Sequence, residues 1–167
     1  MAHVGHSITM KEKIKDWIEN FVSVHNIALG QIPCPFAKQA MIKDTVRYVP
    51  VTAHTAVSKI ETYAYLWDDR YEVAVFYFQD EISPESLSGI AENFNRRFME
   101  RDFVVLEDHP DDVEILNGVE MNFGECPLIL LQRLSKLNKA SDQLKKRGYY
   151  DNWPEESYDD VVKWRYK

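Results

Sequence analysis

The stretch Tyr71-Glu72-Val73-Ala74-Val75-Phe76-Tyr77-Phe78 decides the fold class. Its nearly continuous apolar run, rich in β-branched and aromatic residues, is what a central buried strand needs. The polar turn Asp68-Asp69-Arg70 separates it from the segment before. Upstream, Thr52 or His54 opens a helix to about Trp67, with Val57, Ile60 and Ala64 on one side. Downstream, Ser83 caps a helix that takes Pro84 in its first turn, and Leu87, Ile90, Ala91, Phe94 and Phe98 form its apolar stripe. That helix delivers the chain to a further strand, Phe103-Val104-Val105-Leu106. Strands alternating with helices predict βαβ connections and an at least partly parallel sheet.

Further out, Val46 to Val51 reads as a strand whose Pro50 limits pairing on one side, as at a sheet edge. The first helix starts at Thr9, whose hydroxyl caps it while Glu12 reaches back in a capping box. Ile14, Trp17, Ile18, Phe21 and Val22 recur at helical spacing, and this helix is expected to end near Gly30. A short helix follows over roughly Pro35 to Lys43. The last long helix is expected from Pro127, apolar through Leu128, Leu130, Leu131, Leu134 and Leu137, until Gly148 stops it. These elements predict one α/β domain over residues 9–148, a small mixed or parallel sheet of about three strands flanked by helices. Residues 1–8 read as a frayed, disordered terminus. Residues 149–167 form an aromatic and acidic tail, expected to pack on the domain.

A chain of 167 residues, 45% hydrophobic and 28% charged, is sized and composed for one ordinary globular domain. Its formal charge of -7 opposes a surface built to neutralise phosphates, so nucleic acid is not an expected partner. No apolar run approaches the ~20 residues of a membrane span, and the first residues lack the regions of a secretory signal. A cytoplasmic protein with reduced thiols is expected.

The chemistry-bearing features centre on two cysteines in matching settings, Cys34-Pro35-Phe36 and Cys126-Pro127-Leu128. Proline fits the first helical position, so each cysteine reads as an N-cap. Orphan N–H groups and the helix dipole there favour thiolate over thiol. The bland alternative is a small, mildly apolar side chain packed under a turn. A cysteine nucleophile needs a base and a group to orient it, and Cys34, His109 and Asn122 supply such a set. Phe36, Lys38, Asn95 and Cys126 are the candidate substrate-binding residues beside it.

Other readings compete with that set. Cys34, His109 and Cys126 with Asp108 or Glu125 would give a zinc-like set, without any of the usual short ligand spacings. Cys34 and Cys126 would form a reversible disulfide if their Cα atoms lay within about 7 Å. The acidic segment with Asp108, Asp111, Asp112 and Glu114 reads better as a solvated turn than as a cation loop. Asn93, Asn95, Arg96 and Arg97 lie on or beside the polar side of the helix that Ser83 caps, and a solvated helix face explains most of them. No glycine-rich phosphate loop is present, and no cofactor follows from these residues.

Several pieces in order resemble an uncharacterised bacterial family, domain of unknown function 1415. They are Cys34-Pro35-Phe36-Ala37-Lys38, Arg47-Tyr48-Val49, Phe94-Asn95, His109-Pro110, Asn122, and Pro127 with Leu128 to Leu134. The similarity spans roughly residues 10–137; Cys126 before Pro127, a shorter middle region and the aromatic tail depart from it. The resemblance implies that Cys34, His109 and Asn122 belong to one constellation. It supplies no reaction. Two functions are therefore expected to compete. One is a small-molecule enzyme or binding protein using a Cys34 thiolate. The other is an interaction or homo-oligomerising protein using the last helix and the tail, with Cys34 only a structural cap.

Overall fold

The computed structural model describes residues 7–166 of the chain. Most of the frayed terminus expected over residues 1–8 lies outside the described residues. Helix α1, Met10–Trp17, continues through a π-helical turn, Ile18–Val22, and starts as expected, with the Glu12 N–H donating to Thr9 Oγ1 at 3.2 Å. It stops well before Gly30. Ser23 ends it by donating both its N–H, at 3.0 Å, and its hydroxyl, at 2.7 Å, to the Ile18 carbonyl. A hydroxyl bonding back in this way competes with helix continuation. Gly30, at φ +70°, serves instead in the turn closed by the Asn26–Gln31 bridge. Helix α2, Pro35–Ile42, then begins with Cys34 in extended conformation at the N-cap and Pro35 in the first turn.

The remaining elements run β1, Val46–Val51; α3, Ala56–Tyr65; β2, Val73–Phe78; α4, Pro84–Phe98; and β3, Phe103–Asp108. A small hairpin of β4, Ile115–Leu116, and β5, Val119–Glu120, precedes β6, Leu128–Arg133, α5, Leu134–Lys146, and α6, Glu155–Val161. The four-stranded sheet has the order β1-β2-β6-β3. β1 pairs in parallel with β2, while β6 lies antiparallel to both β2 and β3. The sheet is therefore mixed, with β1, β2 and β3 running one way and β6 inserted against them. The α/β class and the parallel β1-α3-β2 unit match the sequence reading.

The segment after Pro127 does not. Leu128 to Arg133 is a strand, and the helix expected from Pro127 begins only at Leu134. The cause is burial on both faces: Leu128, Ile129 and Leu131 are each 0% exposed between β2 and β3. A short run apolar on every side has no period that separates strand from buried helix. Cys126 is consequently not a helix N-cap, and the segment supplies the fourth strand of a sheet expected to have about three. The hairpin was also unforeseen. Asn117, at φ 50°, and Gly118, at φ +83°, form its turn, both in the left-handed region that two-residue hairpins require.

Helices cover both faces of the sheet. On one, Val49, Phe76, Phe78, Val105 and Ile129 pack with Ala56, Ile60 and Ala64 of α3 and Leu87, Ala91, Phe94 and Phe98 of α4. On the other, Val46, Val75 and Leu128 meet Ile14 and Ile18 from the first helix, Ala40 of α2, Phe123 and Cys126. Val57, expected on the inner side of α3, is 43% exposed.

Both sheet edges are blunted. At β1 the carbonyls of Thr45 and Val51 accept from Glu72 and Gln79, so alternation turns the backbone polar groups of Val46, Tyr48 and Pro50 away from β2. Pro50 has no N–H, and Lys59 Nζ takes its carbonyl at 3.0 Å. On β3 the Asn95 amide does the same work: its Oδ1 accepts from Val105 N–H at 2.8 Å and its Nδ2 donates to Val105 C=O at 3.1 Å.

The tail folds back on the domain. The Tyr149 hydroxyl donates to the carbonyls of Ile32 and Pro33, and Tyr149, Tyr150, Trp153 and Tyr158 pack edge to face or tilted against one another. Arg165, 4% exposed, donates to Asn138 Oδ1 at 3.0 Å and Ser141 Oγ at 2.9 Å on α5. Among the described residues no helix is long and apolar enough to cross a membrane.

Candidate functional site

Cys34 sits where the sequence puts it, but in a different electrostatic setting. The first-turn N–H groups of Phe36 and Ala37 pull its thiol toward ionisation, as a helix N-terminus should. Burial acts more strongly in the opposite direction and pushes the thiol above its ordinary value. The docked tail contributes to this setting, because Tyr149 is hydrogen-bonded to the two carbonyls just before Cys34. On α2, Phe36 is half-buried and Lys38 exposed.

His109 and Asn122 lie together in the loop after β3, and both are committed to holding it. The Asp111 N–H donates to His109 Nδ1 at 3.0 Å, which makes Nδ1 an acceptor. Nε2 therefore carries the proton and donates to the Ile82 carbonyl at 2.6 Å. The imidazole is 7% exposed and has neither nitrogen to spare. The Asn122 Oδ1 accepts from Glu114 N–H at 2.6 Å. Its Nδ2 donates to the carbonyls of His109 and Asp112, both at 3.0 Å, and to Asp108 Oδ1 at 3.3 Å. Asp108 also accepts from Phe123 N–H at 3.3 Å, and burial pushes its carboxyl up.

Among the described residues no hydrogen bond links Cys34 to His109 or Asn122. Asn95 is occupied at the β3 edge. Among the described residues no group of three or more His, Cys, Asp and Glu side chains is placed to hold a metal, so the zinc-like set of Cys34, His109, Cys126 and Asp108 or Glu125 is not assembled. Both cysteines are free thiols. Arg97 is held by Glu61 and by Asn93, whose Oδ1 accepts from Arg97 Nε at 3.0 Å.

What does converge is His109 with Cys126. Both line a cleft of about 900 Å³ at the carboxyl ends of β2 and β3, beside the start of α4. Tyr77, Phe78 and Ile82 supply apolar walls, and Asp111 lies at its lining. Cys126 is 6% exposed, and burial pushes its thiol up to about 11. A second groove, of about 610 Å³, runs between α3 and α4 past Val57, Ile60, Ile90 and Phe94. Glu81, Ile82 and Ser83 form a wall common to both.

Sequence reasoning missed the segment Gln79 to Pro84 as site material. The available signal was its position, from the end of the strongest strand to a capped helix start, where α/β proteins commonly place ligands. Compared with known proteins, the chain matches no family model, no curated protein and no solved structure.

Proposed function

We propose that the protein binds a small molecule in the cleft at the carboxyl ends of β2 and β3, with His109 and Cys126 as parts of its wall. The observation that carries this reading is convergence. Segments distant in sequence, around Phe78, Ser83, His109 and Cys126, meet around one cavity of about 900 Å³, a size suited to a small ligand. The position agrees with the crevice outside the strand ends that open α/β sheets use.

Cys34 is a structural cap in this reading. Its raised thiol and the carbonyls tied to Tyr149 support that role over a poised nucleophile. The tail that could have offered a partner surface spends Tyr149 and Arg165 on its own domain. The test is a fragment set of mixed charge, screened against the full chain by amide chemical shifts. Hits are expected to move Gln79, Ile82, Asp111 and Cys126; hits confined to residues around Cys34 would refute the assignment.

A further inference from the structure

The groove between α3 and α4 is left open by the chain's own packing, and we propose that a second copy of the chain covers it, with α4 lying antiparallel to its counterpart across a two-fold axis. The groove, of about 610 Å³, has an apolar lining of Ile60, Ile90 and Phe94, and Val57 beside them stays 43% exposed. Along the outer side of α4, Glu85, Gly89, Glu92 and Arg96 recur at helical spacing, and all four are exposed.

Gly89 is the residue that points to a close neighbour. It lies inside α4, where glycine weakens a helix relative to alanine. Its backbone is not left-handed, and a Cβ at this position would meet nothing within 4 Å. The isolated fold therefore has no use for a glycine here, whereas a second helix crossing at this point gains a close backbone approach from it.

Charge decides which neighbour fits. Glu85 stands at one end of the stripe and Arg96 at the other, and neither makes an ion pair among the described residues. The helix dipole accounts for that order within one chain. The order is also self-complementary: an antiparallel copy brings each Glu85 to the other's Arg96, and the symmetry forms that pair twice. In the same register Glu92 faces the second copy's Gly89, where no side chain crowds it. A uniformly acidic or basic partner would meet one end of the stripe with like charge.

Sedimentation velocity of the full chain is the experiment. Between about 5 μM and about 500 μM the mass is expected to rise from 19.6 kDa toward twice that value. Glu85→Arg and Arg96→Glu are each expected to weaken the dimer at least about tenfold, and their combination to return it to within about threefold of the parent. Gly89→Gln is expected to abolish the dimer while the dilute chain keeps or gains melting temperature, since glutamine is the better helix former and its Cβ meets nothing. A chain that stays monomeric throughout, a dimer that persists in Gly89→Gln, or a combined charge variant no tighter than the single ones overturns the proposal.

Discussion

Replacing Asn95 by alanine removes the amide that closes the free edge of β3. Two hydrogen bonds are lost, from Val105 N–H at 2.8 Å and to Val105 C=O at 3.1 Å. Val105 is 1% exposed, so water does not readily replace them. Each bond is worth about 1 kcal/mol net, and stranded buried partners add to the cost. Alanine recovers roughly 0.6 kcal/mol through its better helix propensity in α4. The balance is a loss of about 2 kcal/mol, or roughly 4–8 °C in melting temperature for a domain of this size. Urea unfolding followed by circular dichroism measures it. Asn95→Asp sharpens the test, because a carboxylate still accepts from Val105 N–H but sets an anionic oxygen against the Val105 carbonyl. That variant is expected to be at least as damaging as alanine at neutral pH and to recover partly in acid, where a protonated carboxyl donates again. A loss below about 0.5 kcal/mol for Asn95→Ala would refute the edge-capping role.

Other consequences can be checked separately. Alkylation of Cys34 is expected to have its rate midpoint above the free-cysteine value of about 8.5, because burial outweighs the helix N-terminus; a lower midpoint would restore the thiolate reading. Tyr149→Phe removes the donor to the Ile32 and Pro33 carbonyls and is expected to speed that alkylation severalfold, while an unchanged rate would uncouple the tail from the Cys34 turn. Burial and neighbouring acids raise Glu107 and Asp108, and they push Glu114 up to about 7. The folded chain thus holds more protons than the unfolded one between the ordinary carboxylate range and about pH 7, so these groups make stability fall as pH rises through that window. Denaturation midpoints of Glu114→Gln against the parent should converge in acid and separate toward neutral pH in favour of the variant; a constant difference would contradict this. Gly118→Ala forces a side chain into φ +83° and should cost about 1 kcal/mol, read from the melting temperature.

The elements with a clear period or a strong cap were legible in the sequence. The apolar stripe of Leu87, Ala91, Phe94 and Phe98 and the Ser83 cap define α4, and Pro50 marks β1 as an edge. Leu128 to Leu131 carries no such information, because a strand between two others and a buried helix demand the same residues. Only β2 and β3, waiting on either side, select the strand. Asn117-Gly118 was a readable hairpin signal, hidden by the acidic residues around it. The Cys34 cap was legible, but its proton affinity depends on burial, which no local motif encodes. His109 and Asn122 illustrate the same limit: residue type suggests catalysis, whereas the partners of each polar atom reveal a braced loop.

The most direct test of the account is a crystal structure of the full chain soaked with the fragments of mixed charge. Density in the cleft between Tyr77 and Cys126 is the expected result. Density at the Cys34 turn with the cleft empty would contradict it.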